Sequence, residues 1–489
     1  MSDFFHGAKA SKQAVSVSTP MTADSSVHLI VGTAPAHMVN GKVNEPVCVS
    51  SYEEAVAAMG YSDDWEKYDI CEEIYASFKL YSNGPIVIIN VLDPQKHRKD
   101  ESVTEDMQLV GGTLDLPLEV LADTVVVKGY GNGETLTEAY TRGIDYELLY
   151  SDGVLKLERI EGGKITSENE KINLQYNEID PTKVTKADVI GGYDMESKKS
   201  SGFELVDSIF PKFGLIPTLF LAPKFSSDNE VATVMATKAE NINGLFKGKA
   251  LIDVNTSEAT TYAEAVEWKK TNNITQPSQL IMWPMYTLGG KVYHASVHQA
   301  GLMSKTDATE DMGDGTPCES ASNKSLKIDG MVLVDGTEVL LDLTKANYLN
   351  ANGIITALNF IGGFVSWGNE TACYPANTDV TDYFYCVSRM FDWVGNSVIL
   401  SVWNKIDRKL NKRLIESVVD SLNLWLNGLM AEGKILGGRI EFLEEENTET
   451  DLMAGKAKFH IYLTPPSPAK ELDFVLEYDT SYLENLFAA

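Results

Sequence analysis

Residues 85–92 read PIVIINVL, an almost unbroken apolar run. A strand with that pattern needs cover on both faces, which is the situation inside a parallel sheet with helices on either side. The neighbouring pattern agrees. VHLIVGTAP (27–35) predicts a second buried strand. SYEEAVAAMG (51–60) predicts a helix, with Ser51 as cap, Glu54 three residues on and Gly60 at its end. YDICEEIYASFKLYSNG (68–84) predicts a longer helix that stops at Asn83-Gly84.

The α/β rhythm breaks at DPQKHRKDES (93–102) and resumes after GGYDMESKKSSG (191–202). Between them, TVVVKGY, DYELLY, VLKLERI and INLQY are short β-prone runs. They are separated by turn dipeptides such as Asn132-Gly133, Asp152-Gly153 and Gly162-Gly163. That is the pattern of an antiparallel meander or sandwich, here read as an insertion. Beyond it, PTLFLAP (217–223), KALIDV (249–254), QLIMWPMY (279–286) and KVYHASVHQAG (291–301) predict strands. Residues 228–242 and 257–272 predict helices, the second capped by Ser257. Residues 304–330 are loop-rich. The last part predicts strand-like VSRMFDWVGNSVIL, a long helix over about 403–430, and two final strands, AKFHIYLT and ELDFVLEY.

The expected fold class is therefore α/β and α+β, multidomain. An arm spans 1–22. An interrupted α/β core spans 23–95 and 203–378, with an inserted antiparallel β domain over 96–202. An α+β C-terminal domain with a terminal arm spans 379–489. A length of 489 residues suits about three domains.

Lys and Arg total 41 against 70 Asp and Glu, a formal charge of -29. Such a surface repels phosphate, so no nucleic-acid partner is expected. No apolar run reaches membrane-spanning length, and MSDFFHGAKASKQ lacks an apolar signal core. Cysteines at 48, 71, 318, 373 and 386 are odd in number, widely spaced and without CxxC, as free thiols in a reducing compartment would be.

Catalytic and cofactor motifs are sparse. GLFKGKA (244–250) lacks the spacing and hydroxyl of a phosphate loop, and GYGNG (129–133) leads into no helix. His294 and His298 lie four apart on an expected strand, but no third metal ligand is evident. Asp307, Glu310, Asp311 and Asp314 do not match a calcium loop and read as a solvated acidic loop. The expectation is no enzyme, no cofactor and no metal. One stretch stands out. In 404–430, Ile406, Leu410, Leu414, Val418, Leu422, Trp425 and Leu429 form one helical stripe. Lys405, Arg408, Lys409, Lys412 and Arg413 lie opposite, five cations within nine residues of an acidic chain.

The C-terminal half resembles a known family. LNANGIITALNFIGGFVSWGNETAC (349–373) is similar to the contractile tail sheath motif that opens on LN..GI and closes on WGNRT, with Glu370 where the motif carries arginine. ETDLMAGKAKFHIYLTPPSPAKELDFVLEYDTSYLENL (449–486) resembles the sheath C-terminus, with Pro465, Pro466 and Pro468 between its strands. MSDFFHGAK and VHLIVGTAP resemble the family's arm and first strand.

The resemblance implies a virion or contractile-particle subunit made in a bacterial host's cytoplasm. It would polymerise with itself around an inner tail tube protein, meet baseplate and tail terminator proteins, and contract to drive the tube through an envelope. It implies that the cationic face meets the tube. It also implies that terminal arms link subunits, through Val15 and Val17 at one end and Phe459, Ile461, Leu463, Phe474 and Leu476 at the other. Competing readings are a soluble α/β enzyme with a β accessory domain, and a baseplate or receptor-binding component.

Overall fold

The computed structural model describes residues 20–131, 135–151, 153–168 and 170–486, without the side chains of 484 and 485. Val15, Val17, Asn132-Gly133 and Asp152 lie outside the described residues.

The core is a six-stranded sheet built from both sides of the insertion. Its strands are β1 (His28–Gly32), β2 (Val47–Val49), β3 (Ile86–Asn90), β4 (Leu219–Leu221), β5 (Lys249–Asp253) and β6 (Gln279–Met282). They lie in the order β6-β5-β4-β1-β3-β2, parallel except for the edge strand β2. Alternate residues serve two separate cores. Ile30, Ile86, Ile88 and Leu221 pack on one face, while Leu29, Val31, Val87, Ile89 and Phe220 pack on the other. This double cover is why PIVIINVL shows no polar alternation.

Helix α1 (Tyr52–Met59) starts at Ser51, whose side chain accepts from the Glu54 N–H, and ends at Gly60. Helix α2 (Asp69–Tyr75) continues as a π-wound segment, Ala76–Tyr81. Helices α3 (Asn229–Glu240) and α4 (Tyr262–Thr271) follow β4 and β5. The cap of α4 is Thr261, in a capping box with Glu264, and not Ser257. Only Thr261 has a carboxylate three residues on that closes the reciprocal bond.

Three other expectations need correction. First, 279–286 is not one strand. It breaks at Trp283-Pro284, and Met285–Leu288 joins a separate three-stranded sheet. Proline has no N–H to give a ladder, and the chain leaves the sheet there.

Second, 291–301 is strand only over Lys291–Tyr293 and then becomes helix α5 (Ala295–Ala308). His294 precedes that helix and His298 lies within it, so the two do not share a strand face. Ala295 through Ser304 are all buried, so α5 carries no amphipathic period to read.

Third, VSRMFDWVGNSVIL is helix α6 (Tyr385–Val402). Its β-branched and aromatic residues favour a strand. Yet Tyr385, Cys386, Met390, Trp393, Val394 and Ser397 bury at helical spacing, and packing overrides propensity. Met390, Trp393 and Val394 join the core beneath the sheet, which ties α6 to the α/β core.

The insertion forms two antiparallel sheets. In one, Lys171–Tyr176 pairs with Val103–Gln108 and Val126–Tyr130, and Leu136–Ala139 pairs with the latter. In the other, Val154–Arg159 sits between Thr113–Leu116 and Tyr146–Ser151. The sheets enclose their own core, with Leu148, Leu155, Leu157, Ile172 and Leu174 at its centre. Arg98 and Ile179 form an antiparallel bridge where the chain enters and leaves.

Candidate functional site

The cationic stretch is not one continuous helix. Helix α7 (Lys412–Ala431) begins only at Asn411, whose side chain accepts from the Leu414 N–H at 2.9 Å. Asp407 takes φ 61, a left-handed turn that ends any helix coming from α6. The stripe therefore shortens. Val418, Leu422, Leu426 and Leu429 are buried, while Trp425 is only partly so. Ile406, off the helix, is 60% exposed, and Trp403 is 59% exposed.

The cations divide as well. Lys405 folds back onto α7, donating to the Ser417 carbonyl at 3.1 Å and to Ser417 Oγ at 3.3 Å. Burial, with Arg408 nearby, pulls its pKa below the ordinary lysine value. Arg408 and Lys409 sit on the exposed connector, and Lys412 and Arg413 on the exposed first turn of α7. The outcome is a largely exposed segment, 403–413, that mixes four exposed cations with exposed Trp403 and Ile406.

Behind α7, β7 (Gly437–Glu441) and β8 (His460–Thr464) form a two-stranded antiparallel sheet. The second of the two expected final strands, ELDFVLEY, does not form. Leu472–Tyr478 has no regular structure and makes no hydrogen bond among the described residues, with Phe474 80% and Leu476 95% exposed. Asn423 explains why β7 is the capped edge. Its side chain donates to the Ile440 carbonyl at 3.0 Å and accepts from the Ile440 N–H at 2.9 Å. In an antiparallel ladder the partner, Ile461, then turns its own N–H and C=O to the opposite edge, as does Leu463 two residues on. No hydrogen bond among the described residues uses those groups.

The C-terminal segment leaves β8 through Pro465, which is buried, and runs back over the body. There Glu370 fills the place of the motif arginine. It is 2% exposed and meets Lys470 Nζ at 2.6 Å. Burial works against the Lys470 charge, and Glu370 more than offsets this, so the Lys470 pKa is raised. The Lys470 ammonium also stands 5.2 Å from the Tyr374 ring centre. The reversed charge thus has a partner within the chain, which the sequence alone did not disclose.

The acidic loop reading fails at Asp307. Glu310, Asp311 and Asp314 are exposed, but Asp307 is 1% exposed and bound by Arg389, with Nη2 at 2.6 Å. Ser26 Oγ donates to the same carboxylate.

The crevice at the carboxyl ends of the parallel strands, where α/β enzymes bind ligands, is filled by side chains. Glu72 accepts from the His294 N–H at 2.5 Å and from its Nδ1 at 2.9 Å. Asp253 takes the Ser296 N–H at 2.9 Å, and Asp69 takes Thr33. All three carboxylates are buried, and burial raises each pKa. Among the described residues no group of three His, Cys, Asp or Glu is placed to hold a metal ion. His298 is buried against the Tyr81 hydroxyl at 2.9 Å, and burial pushes its pKa down to about 3.

This cluster sets a pH dependence. Burial opposes the His294 charge, but Glu72, Asp253 and Asp69 prevail and raise its pKa to about 9. The unfolded imidazole releases its proton near 6.5, so between those values the folded state holds more protons. Rising pH then destabilises it by at most about 1.4 kcal/mol per pH unit. Urea melts are expected to show stability falling from pH 6.5 to 9, with a shallower fall in His294→Gln. Equal slopes for the two proteins would refute the assignment.

No family model matches the chain. It is 26% identical to the tail sheath protein of Burkholderia phage BcepMu, across 99% of this chain and 98% of that one. It is 24% identical to the tail sheath protein of Escherichia phage P2, across 62% of this chain and 73% of the relative. Among solved structures it superposes on the contracted sheath of an extracellular contractile injection system, PVC, with a TM-score of 0.58 at 12% identity. That match covers 98% of this chain and 99% of the other. Aligning end to end with one sheath protein and sharing the fold of another, the chain is similar to contractile tail sheath proteins over its whole length, and the role this similarity supports is that of a structural sheath subunit.

Proposed function

We propose that copies of this chain polymerise around an inner tube in a contractile particle, and that contraction of the polymer drives the tube through a target envelope. The observation that carries this reading is the pairing capacity left open at the C-terminal sheet. One edge of β8 offers the backbone of Ile461 and Leu463, and Leu472–Tyr478, where Leu472, Phe474, Val475 and Leu476 are exposed, forms no strand within the chain. An arm of one copy adding to the sheet of the next satisfies both. Residues 1–22, with Val15 and Val17, serve as the second arm. The divisions near 22, 95, 202 and 378 belong to the same proposal, with the insertion facing outward because its ends meet at Arg98 and Ile179.

Baseplate and terminator proteins are the expected partners at the two ends of the polymer. The particle tail is its place of action, after assembly in the host cytoplasm. No catalysis, cofactor, nucleic acid or membrane enters the scheme. The enzyme alternative is disfavoured by a crevice already filled by Glu72, Asp253 and Asp69.

The tube contact is assigned to 403–413. Arg408, Lys409, Lys412 and Arg413 offer charge to an acidic surface, and Trp403 and Ile406 add apolar area. Lys405 supports the connector instead. Exposed ion pairs contribute only about 0–1 kcal/mol each, so such a contact can release as a set. The variant Arg408→Glu, Lys409→Glu, Lys412→Glu is expected to fold with stability within about 0.5 kcal/mol of the parent and to fail to build extended sheath on tubes. Extended tails at normal yield in electron micrographs would remove the tube contact from this segment.

A further inference from the structure

Beyond the buried Pro465, the segment that follows β8 is tied to the body by a single described ion pair. From Pro465 to Tyr478 the chain has no regular structure, and among the described residues no hydrogen bond ties it to the body. Beneath residues 466–471 lies a cleft of about 910 Å³, walled on the body side by Leu343, Phe360, Trp367 and Tyr374, among others. Continuous apolar packing therefore does not hold the segment down. What does is Lys470, whose Nζ reaches the buried Glu370 at 2.6 Å and faces the Tyr374 ring.

Glu370 itself is fixed. Its Oε2 accepts from the Asn369 N–H at 3.0 Å, and its backbone bridges Phe384 at the start of α6. A carboxylate at 2% exposure needs a cation, because an unpaired buried charge is costly. Beyond Lys470 the character changes at once: Leu472, Phe474, Val475 and Leu476 are all exposed.

We propose that Glu370 and Lys470 form a latch that fixes the root of the C-terminal arm to its own body. The latch sets the point at which residues 472–486 leave toward a second copy of this chain. The idea rests on the reading of that segment as an inter-subunit arm, and it adds what positions the arm. An untethered arm starts its search from β8 at Thr464. A latched arm starts six residues later, at Lys470, from a rigid site, with less conformational freedom to lose on docking. Glu370 and Lys470 are positioning residues, and their charges are interchangeable in principle.

The test uses the full chain with the two partly exposed cysteines, Cys48 and Cys318, changed to serine, and a nitroxide label at Ser467→Cys. In the parent the label is expected to move slowly. Lys470→Glu sets two carboxylates against each other and is expected to free the segment, shortening the rotational correlation time about tenfold, as from a docked to a free loop. The exchanged pair, Glu370→Lys with Lys470→Glu, is expected to restore slow motion. Purely structural damage at Glu370 would not be repaired by a second change at Lys470. An unchanged spectrum in Lys470→Glu, or no restoration in the exchanged pair, overturns the latch.

Polymer yield separates the two levels. Loss in Lys470→Glu with recovery in the exchanged pair supports exit-setting, and normal polymer from Lys470→Glu with a freed label overturns it. Polymer that survives removal of 472–486 defeats the arm reading instead, while the label still reports on the latch.

Discussion

Arg389→Met is expected to lower the unfolding free energy by roughly 3–5 kcal/mol, because it strands a buried carboxylate. Arg389 is 4% exposed and Asp307 1%. The guanidinium reaches both carboxylate oxygens, at 3.2 and 2.6 Å, and also the Ser25 carbonyl at 3.1 Å. It thus joins three elements: the lead-in to β1, the end of α5, and α6. Burial already raises the Asp307 pKa, and Arg389 is the main force against that rise. Without it, Asp307 must ionise unpaired or hold a proton, and either choice costs stability.

The double variant Arg389→Met, Asp307→Leu separates pair loss from charge burial. It is expected to recover most of the deficit, since apolar replacement of a buried pair is often close to neutral. Recovery should be incomplete, because the Ser25 carbonyl loses one of its two donors and keeps only Thr218 Oγ1. Denaturant melts measure both variants. A cost below about 1 kcal/mol for the single change would place Arg389 with exposed pairs and remove it as the tie between α5 and α6.

The parallel core was legible because its strands are apolar on both faces while its helices carry end signals, as Ser51 and Gly60 do for α1. The insertion was legible because residues such as Ile172 and Leu174 alternate cleanly with exposed neighbours. Two helices were hidden by opposite causes. Helix α5 is buried all round, so no face contrasts with another. Helix α6 is built from strand-favouring residues, and only its spacing betrays it.

The cationic segment was visible as composition, but its shape was not. Whether Lys405 joins Arg408 or folds onto Ser417 depends on a turn at Asp407 that no periodicity encodes. Asp307 and Glu370 show a further limit. Each is a charge in a polar-looking stretch whose partner, Arg389 or Lys470, lies 82 or 100 residues further along the chain, and that pairing exists only once the chain is folded.

Removal of either arm is expected to abolish polymer while leaving a folded monomer. At the amino end, a chain starting at Thr22 keeps the anchor of the first segment. The Ala23 N–H donates to Ser397 Oγ at 3.0 Å, and Trp393 Nε1 donates to the Ala23 carbonyl at 2.7 Å. Only the bond from Ser401 Oγ to the Met21 carbonyl is lost among those described. At the carboxyl end, stopping after Glu471 keeps β8 and the Lys470 contact, and every described side chain that it discards is exposed. Circular dichroism and melting should therefore match the full chain closely.

Assembly should not survive. A strand of five residues added to the edge of β8 makes several backbone hydrogen bonds, each contributing about 0.5–1.5 kcal/mol net. Their sum exceeds what a handful of exposed ion pairs at 408–413 supplies at about 0–1 kcal/mol each. That ordering suits a lattice that lets go of its tube while its subunits stay joined. Gel filtration and electron microscopy decide it. Tubes or rings formed by either truncated chain, under conditions where the full chain forms them, would mean that the missing arm is not the link and that other contacts carry the lattice.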